Sequence, residues 1–186
     1  MNKILDKILE RIKKSEQDGI LLRPVTKSTG RFLQILVLAT RSKKILELGC
    51  SAGYSTIWLA QAAKEFGGHV YTTETSKPRI KIAKSNFEEA GLSEYITLFE
   101  KDAVDVLSNW NLGEIDFAFI DATKQDYLKY YELILPLLKS GGLVIADDVI
   151  KFKNLVEPFL KKVNNDSRVI SQLLEDEHGL VLIYKK

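Results

Sequence analysis

KILELGCSAGYSTIWLA, residues 44–60, passes from an apolar strand pattern through a turn bearing Gly49 and Gly53 into an apolar helical pattern. Strand, tight turn and helix in direct succession open an α/β unit, and the chain repeats the theme. HVYTTE (69–74), ITLFE (96–100), DFAFID (116–121) and GLVIADD (142–148) are further strand candidates. Helical patterns separate them at about 54–66, 76–91, 103–109 and 124–139. After a helix near 152–164, RVISQLLE and GLVLIYKK are joined by only a short turn and read as antiparallel partners. The expectation is an α/β three-layer sandwich around a seven-stranded, mostly parallel sheet with its last strand antiparallel.

Upstream, Ile4, Leu5, Ile8, Leu9 and Ile12 share one face of a helix over 2–17, ending near Asp18-Gly19. A linker with Pro24 leads to a second helix, roughly 28–40, carrying Phe32, Leu33, Ile35, Leu36 and Leu38. No domain linker, repeat or low-complexity segment divides the chain, so 1–186 reads as one domain, with N-terminal helices over 1–42 and a core over 43–186. Its 186 residues, 45% hydrophobic, suffice for one large core. A net charge of +2 is too mild to argue for nucleic acid. The lone Cys50 excludes a disulfide framework and a multi-thiolate zinc site, which fits a reducing compartment. MNKILDKILERIKK interleaves charge with apolar residues, unlike a signal peptide, and runs such as ILVLA are too short to cross a bilayer. A soluble, cytoplasmic protein is expected.

The turn limits what it can hold. A P-loop needs Lys then Ser or Thr after its second glycine, where Tyr54 and Ser55 stand. A dinucleotide fingerprint needs a middle glycine, and Ser51 occupies that approach. A helix start still presents backbone N–H groups and a positive dipole end. These could hold the carboxylate of an amino acid moiety, with acids such as Glu47 meeting its ammonium. The plain alternative is a tight turn with glycines for packing. Glu74, ending the second strand 27 residues after Glu47, stands where an α/β nucleotide site places a carboxylate for ribose hydroxyls. That spacing suits NAD and S-adenosylmethionine alike. Asp102 could accept from an adenine amino group, cap the helix that follows, or both.

ILELGCSAGYSTIWLA, TTETS, KDAVDVL, FIDATKQDY and VIADDVI resemble, in this order, the class I S-adenosylmethionine-dependent O-methyltransferases, whose fold is Rossmann-like. Within them the chain is similar to the metal-dependent branch containing catechol and caffeoyl-CoA O-methyltransferases, from about Val25 to the final strand. The resemblance implies S-adenosylmethionine as cofactor, contacted by Val25 through its backbone, Glu47, Gly49, Ser51, Gly53, Tyr54, Ser55, Glu74, Thr75, Asp102, Ala103 and Asp121. It also implies a homodimer, which the apolar faces of 2–17 and 28–40 could help build.

Asp121, Asp147 and Asp148 end the fourth and fifth strands, at the carboxyl edge where open parallel sheets bind ligands. Three convergent carboxylates repel unless a cation or protons intervene, and oxygen ligands favour Mg²⁺, Mn²⁺ or Ca²⁺ over zinc. The resemblance implies Asp121 and Asp147 as metal ligands, most simply of Mg²⁺. At the third position the branch commonly has Asn, so Asp148 adds a charge. Loop caps on a metal-free enzyme are the alternative. Lys124 matches the family's catalytic lysine; beside a cation a lysine favours its neutral amine, a candidate base for an acceptor hydroxyl. His69, His178 and Trp58 read as structural, Cys50 as a space-filler, and Trp110 could border an adenine pocket.

The acceptor is expected to be a small catechol-like phenol. DDVIKFKNLVEPFLKK leaves almost no insertion for a bulky thioester, and EDEHGL replaces the usual glycine-rich approach to the last strand. Relatives in this branch also modify hydroxylated uridine in tRNA, which keeps an RNA acceptor open; KFKN at 151–154 could meet a phosphate-bearing one. A non-catalytic S-adenosylmethionine-binding subunit is the opposing class, and an NAD enzyme a distant third. No membrane partner is expected.

Overall fold

Leu5, Ile8 and Ile12 recur at helical spacing and are fully buried, so α1 (Asn2–Gln17) forms with its apolar face inward. The computed structural model describes residues 2–17, 19–175 and 178–186; Asp18, and Asp176 and Glu177 of EDEHGL, lie outside the described residues. α2 (Lys27–Thr40) starts where the Thr26 side chain accepts from the Thr29 N–H at 3.0 Å and stops at left-handed Arg41. Then follow β1 (Lys44–Leu48), α3 (Tyr54–Lys64), β2 (His69–Thr73), α4 (Lys77–Ala90), β3 (Ile96–Phe99), α5 (Ala103–Ser108), β4 (Ile115–Ile120), α6 (Tyr127–Leu137), β5 (Leu138–Ala146), α7 (Lys153–Asn164), β6 (Val169–Leu174) and β7 (Leu180–Lys185).

Among the described residues the seven strands run in the order β3-β2-β1-β4-β5-β7-β6. β2 and β3 pair in parallel, as do β4 and β5, whereas β7 is antiparallel to both of its neighbours. This is the Rossmann-like sheet expected. The chain divides into two compact units, Met1–Ile45 with Cys50–Asp102, and Leu46–Gly49 with Ala103–Lys186. In the first, α3 is buried on every side from Tyr54 to Ala63, and the Trp58 indole lies so close to Gly30 of α2 that a Cβ there would meet it at 2.4 Å. α1 packs on α3 and α4, so Leu5, Ile8 and Ile12 are spent inside this unit rather than offered to a second copy. α2 keeps Ile35 (53% exposed) and Leu38 (38%) outward.

In the second unit, Tyr127 and Tyr131 of α6 meet Phe159 of α7 edge to face, ring centroids 5.7 and 5.9 Å apart. Each such pair adds about 0.5–1.5 kcal/mol beyond its buried area. One boundary departs from expectation. Instead of a single helix over 124–139, a 3₁₀ turn at Lys124–Asp126 precedes α6, which Pro136 carries into its final turn. Leu138 swings to extended backbone, and β5 begins there, four residues before 142, with a register shift opposite Ile115/Phe117. No helix among the described residues is long and apolar enough to cross a membrane.

Candidate active site

The glycine turn is held in a shape that few residues tolerate. Gly49 has φ +97, and a Cβ there would meet the Asp121 carbonyl oxygen at 2.2 Å, so the backbone of β4's end excludes any side chain. Gly53, at φ +80, caps α3 against the Phe87 ring, 2.4 Å from where its Cβ would stand. Ser51 between them is also left-handed, φ +48, a conformation that persists only where surroundings enforce it.

Within the first unit those surroundings are explicit. The Ser51 N–H donates to Glu74 Oε2 at 3.0 Å, and its hydroxyl donates to the Leu22 carbonyl in the linker. Cys50 N–H bonds the Thr73 carbonyl at 2.8 Å, while its buried sulfur sits 3.6 Å from Thr56 Oγ1. Glu74 is 8% exposed, and its Oε1 accepts the Thr75 and Ser76 N–H groups, both at 2.9 Å. Arg79 lies 3.8 Å from Oε2 and donates to the Leu21 carbonyl. Glu74 thus ties β2's end to the turn and to the start of α4, with one Oε2 lone pair left over. Val25, Tyr54 and Ser55 are buried, and Asp102 is exposed. Burial raises the Tyr54 phenol's pKa, against the opposing pull of the neighbouring Trp58 indole N–H. The two rings meet edge to face, with centroids 6.3 Å apart.

In the second unit, Glu47 is fully buried on β1 and Ala103 is buried at the start of α5. The Trp110 indole donates to its own loop's Gly113 carbonyl at 2.7 Å. Asp121 leaves β4 with its N–H on the Leu48 carbonyl at 2.9 Å, and Asp147 leaves β5 with its N–H on the Ile120 carbonyl at 3.0 Å. Lys124 reaches back from the 3₁₀ turn, its ammonium 2.7 Å from Asp121 Oδ1, 3.0 Å from Asp148 Oδ2 and 2.7 Å from the Tyr127 hydroxyl. The Tyr127 and Phe152 rings lie 5.0 and 5.6 Å from it. The buried Tyr127 hydroxyl stands 3.0 Å from the Asp147 carbonyl, and its pKa is driven well up by burial and then by the Asp121, Asp147 and Asp148 charges.

Asp147 is 6% exposed, and its Oδ1 accepts the Asp148 N–H at 2.7 Å. Burial, then repulsion from Asp121 and Asp148, raises its pKa to about 7, against the opposing pull of that N–H and Lys124. Asp148, left-handed at φ +62, also faces His178 Nδ1 at 3.4 Å and Lys151 at 3.7 Å. The Ile150 and Lys151 N–H groups both reach the His178 carbonyl, so the turn before β7 braces the loop after β5.

Asp121, Asp148 and Lys124, singled out from the sequence, meet at one edge, and the structure adds Tyr127 and His178 to their neighbours. Tyr127 had a signal, one helical turn beyond Lys124; His178, read as structural, lies 30 residues from Asp148 and had none. The all-carboxylate donor set has the chemistry of a hard divalent cation site, and its mutual repulsion calls for a cation. Among the described residues, however, no three His, Cys, Asp or Glu side chains are gathered into a metal-holding group. The Lys124 ammonium bridges Asp121 and Asp148 instead, and Asp147 turns to backbone.

The O-methyltransferase family profile matches residues 2–186. The catechol O-methyltransferase of Niastella koreensis is 35% identical over 149 residues, 78% of this chain and 67% of that one. That of Mycobacterium tuberculosis is 32% identical over 127 residues, 68% of this chain and 57% of its own length. The crystal structure of the O-methyltransferase from Bacillus cereus, in complex with S-adenosylhomocysteine, superposes with a TM-score of 0.91 at 30% identity, over 100% of this chain and 92% of that one. With the sheet order, the braced glycine turn and the carboxylate edge, these likenesses make the chain a member of the O-methyltransferase family, on its class I S-adenosylmethionine-dependent, catechol and caffeoyl-CoA branch.

Proposed function

We propose that this chain binds S-adenosylmethionine and transfers its methyl group to a hydroxyl of a small catechol-like phenol, assisted by a divalent cation, most simply Mg²⁺. The observation that carries the reading is Lys124, held by Asp121, Asp148 and Tyr127 at the carboxyl edge of β4 and β5. The glycine turn and Glu74 would receive the cofactor, the carboxylate taking the ribose hydroxyls. Asp121, Asp147 and Asp148 would hold the ion, which makes a bound phenol more acidic and orients it. With those carboxylates engaged, Lys124 Nζ would be the candidate acceptor for the phenol proton.

Lys124 Nζ would take the phenol proton, and the resulting ammonium would lie against the Tyr127 hydroxyl and the Tyr127 and Phe152 rings. The oxygen attacks the methyl carbon in line as the carbon–sulfur bond breaks, and its electron pair stays on sulfur as the neutral thioether. No covalent enzyme intermediate is needed. Asp148, where the branch commonly has Asn, lies beside Lys124 and Lys151, whose positive charges offset the extra carboxylate. We also propose that Ile35 and Leu38 contribute to a homodimer in solution.

A labelled-methyl assay with catechol tests the reading. It predicts turnover that Mg²⁺ supports, a chelator removes and Lys124→Ala abolishes. Cofactor binding without transfer to catechol or to hydroxylated uridine in RNA would instead indicate the non-catalytic subunit; transfer to RNA alone would move the acceptor. The exposed Lys151, Lys153, Lys161 and Lys162 keep that second acceptor worth testing.

A further inference from the structure

α1 reaches the glycine turn through one buried amide. Asn86 of α4 is fully buried, and its Nδ2 donates to the Ala52 carbonyl at 2.7 Å, in the middle of the turn. Its Oδ1 accepts from the Arg11 guanidinium of α1, which also pairs with Glu89 on α4. A carboxamide alone can present either its oxygen or its nitrogen to a neighbour. Arg11 carries donors only, so it fixes the oxygen toward α1 and aims the N–H group at Ala52. The carbonyl so held lies between left-handed Ser51 and Gly53, where the backbone keeps its shape only if neighbours over-determine it. Phe87, next to Asn86, packs on Gly53 from the same helix. Arg11 in turn is stationed by the burial of Ile8 and Ile12 on either side of it in α1.

We infer that Arg11 and Asn86 are positioning residues for the cofactor: the N-terminal helix sets the shape of the glycine turn, and with it the affinity for S-adenosylmethionine, through the Arg11–Asn86–Ala52 relay. This rests on the cofactor reading above. Neither residue touches reacting atoms; the relay acts by keeping the turn's backbone groups where the cofactor meets them. α1 is therefore an affinity element as well as a packing element.

Calorimetric titration of S-adenosylhomocysteine into the full chain tests it, with melting curves of the same variants. The Arg11 side chain is 40% exposed, so Arg11→Ala is expected to stay folded while weakening binding about tenfold, the weight of one hydrogen bond. The KM for S-adenosylmethionine should rise by a similar factor with kcat at saturating cofactor unchanged. Asn86→Asp keeps an acceptor for Arg11 but cannot donate to Ala52, and should weaken binding at least as much. Glu89→Ala removes Arg11's other partner and should leave affinity within about twofold. Affinity within twofold in folded Arg11→Ala, or an equal loss in Glu89→Ala, would overturn the relay. No binding by the unmodified chain would overturn the cofactor reading itself, and the relay with it.

Discussion

Replacing Lys124 with methionine removes a charge and leaves most of the side chain's volume. In the ion-free chain this cation serves Asp121 and Asp148 at once, with side chains only 11–21% exposed. Breaking a buried pair by removing one partner costs about 3–5 kcal/mol. Here the site is partly open and Asp147 can take a proton, so about 2–3 kcal/mol is expected at alkaline pH. For a chain of this size that is a melting temperature lower by about 4–12 °C. The pH dependence has a definite sign. The Asp147 pKa is raised to about 7 in the folded chain, above its unfolded value, so its contribution is present at low pH and lost as pH rises through 7. Without Lys124 that rise is larger, so Lys124→Met should lag the unmodified chain most at pH 8 and recover part of the deficit at pH 5.5. Melting curves in chelator at both pH values measure this. Equal melting temperatures at pH 8 would refute the view that Lys124 neutralises the carboxylate edge. An equal deficit at both pH values would refute the role given to Asp147.

Other substitutions test the turn and the packing. Gly49→Ala drives a Cβ against the Asp121 carbonyl and adds left-handed strain, so both melting temperature and S-adenosylhomocysteine affinity should fall; an unchanged melt would contradict the contact. Glu74→Gln replaces one accepting oxygen with donors facing backbone N–H groups, and should weaken S-adenosylhomocysteine at least tenfold by calorimetry. Asp166 takes hydrogen bonds from Arg168 and Tyr131, and the Arg168 guanidinium holds its carboxyl below the usual range. Its contribution is present above about pH 4 and lost below it, so Asp166→Asn should melt lower than the unmodified chain at pH 7 and converge with it in acid.

Most of the fold was legible because local pattern and tertiary place agree. Apolar runs such as Phe117–Ile120 mark a buried parallel sheet, and the observed β1 matches its expected bounds. β5 began early because Pro136 and the register shift opposite Ile115 decide that boundary, and pairing partners are invisible in a single stretch. The site was legible where its residues close strands, as Asp121 and Asp147 do. It was not legible where chain-distant groups meet: His178 on Asp148, Leu22 on Ser51, Arg11 on Asn86. The linker's hold on the Ser51 hydroxyl is a contact of this kind, made across 29 residues. Lys124 as the bridging cation was equally hidden, because one lysine among many reveals its partners only in three dimensions.

The central claim is that the carboxylate edge exchanges Lys124 for a divalent ion and thereby admits a phenol. The direct measurement is sequential calorimetry in one cell: S-adenosylhomocysteine, then Mg²⁺, then catechol. Catechol is expected to bind only after the metal, and Asp147→Ala to abolish both later steps while sparing the first. Cofactor heat followed by no heat with Mg²⁺, Mn²⁺ or Ca²⁺ would contradict it and leave the three aspartates as a structural cluster neutralised by lysine.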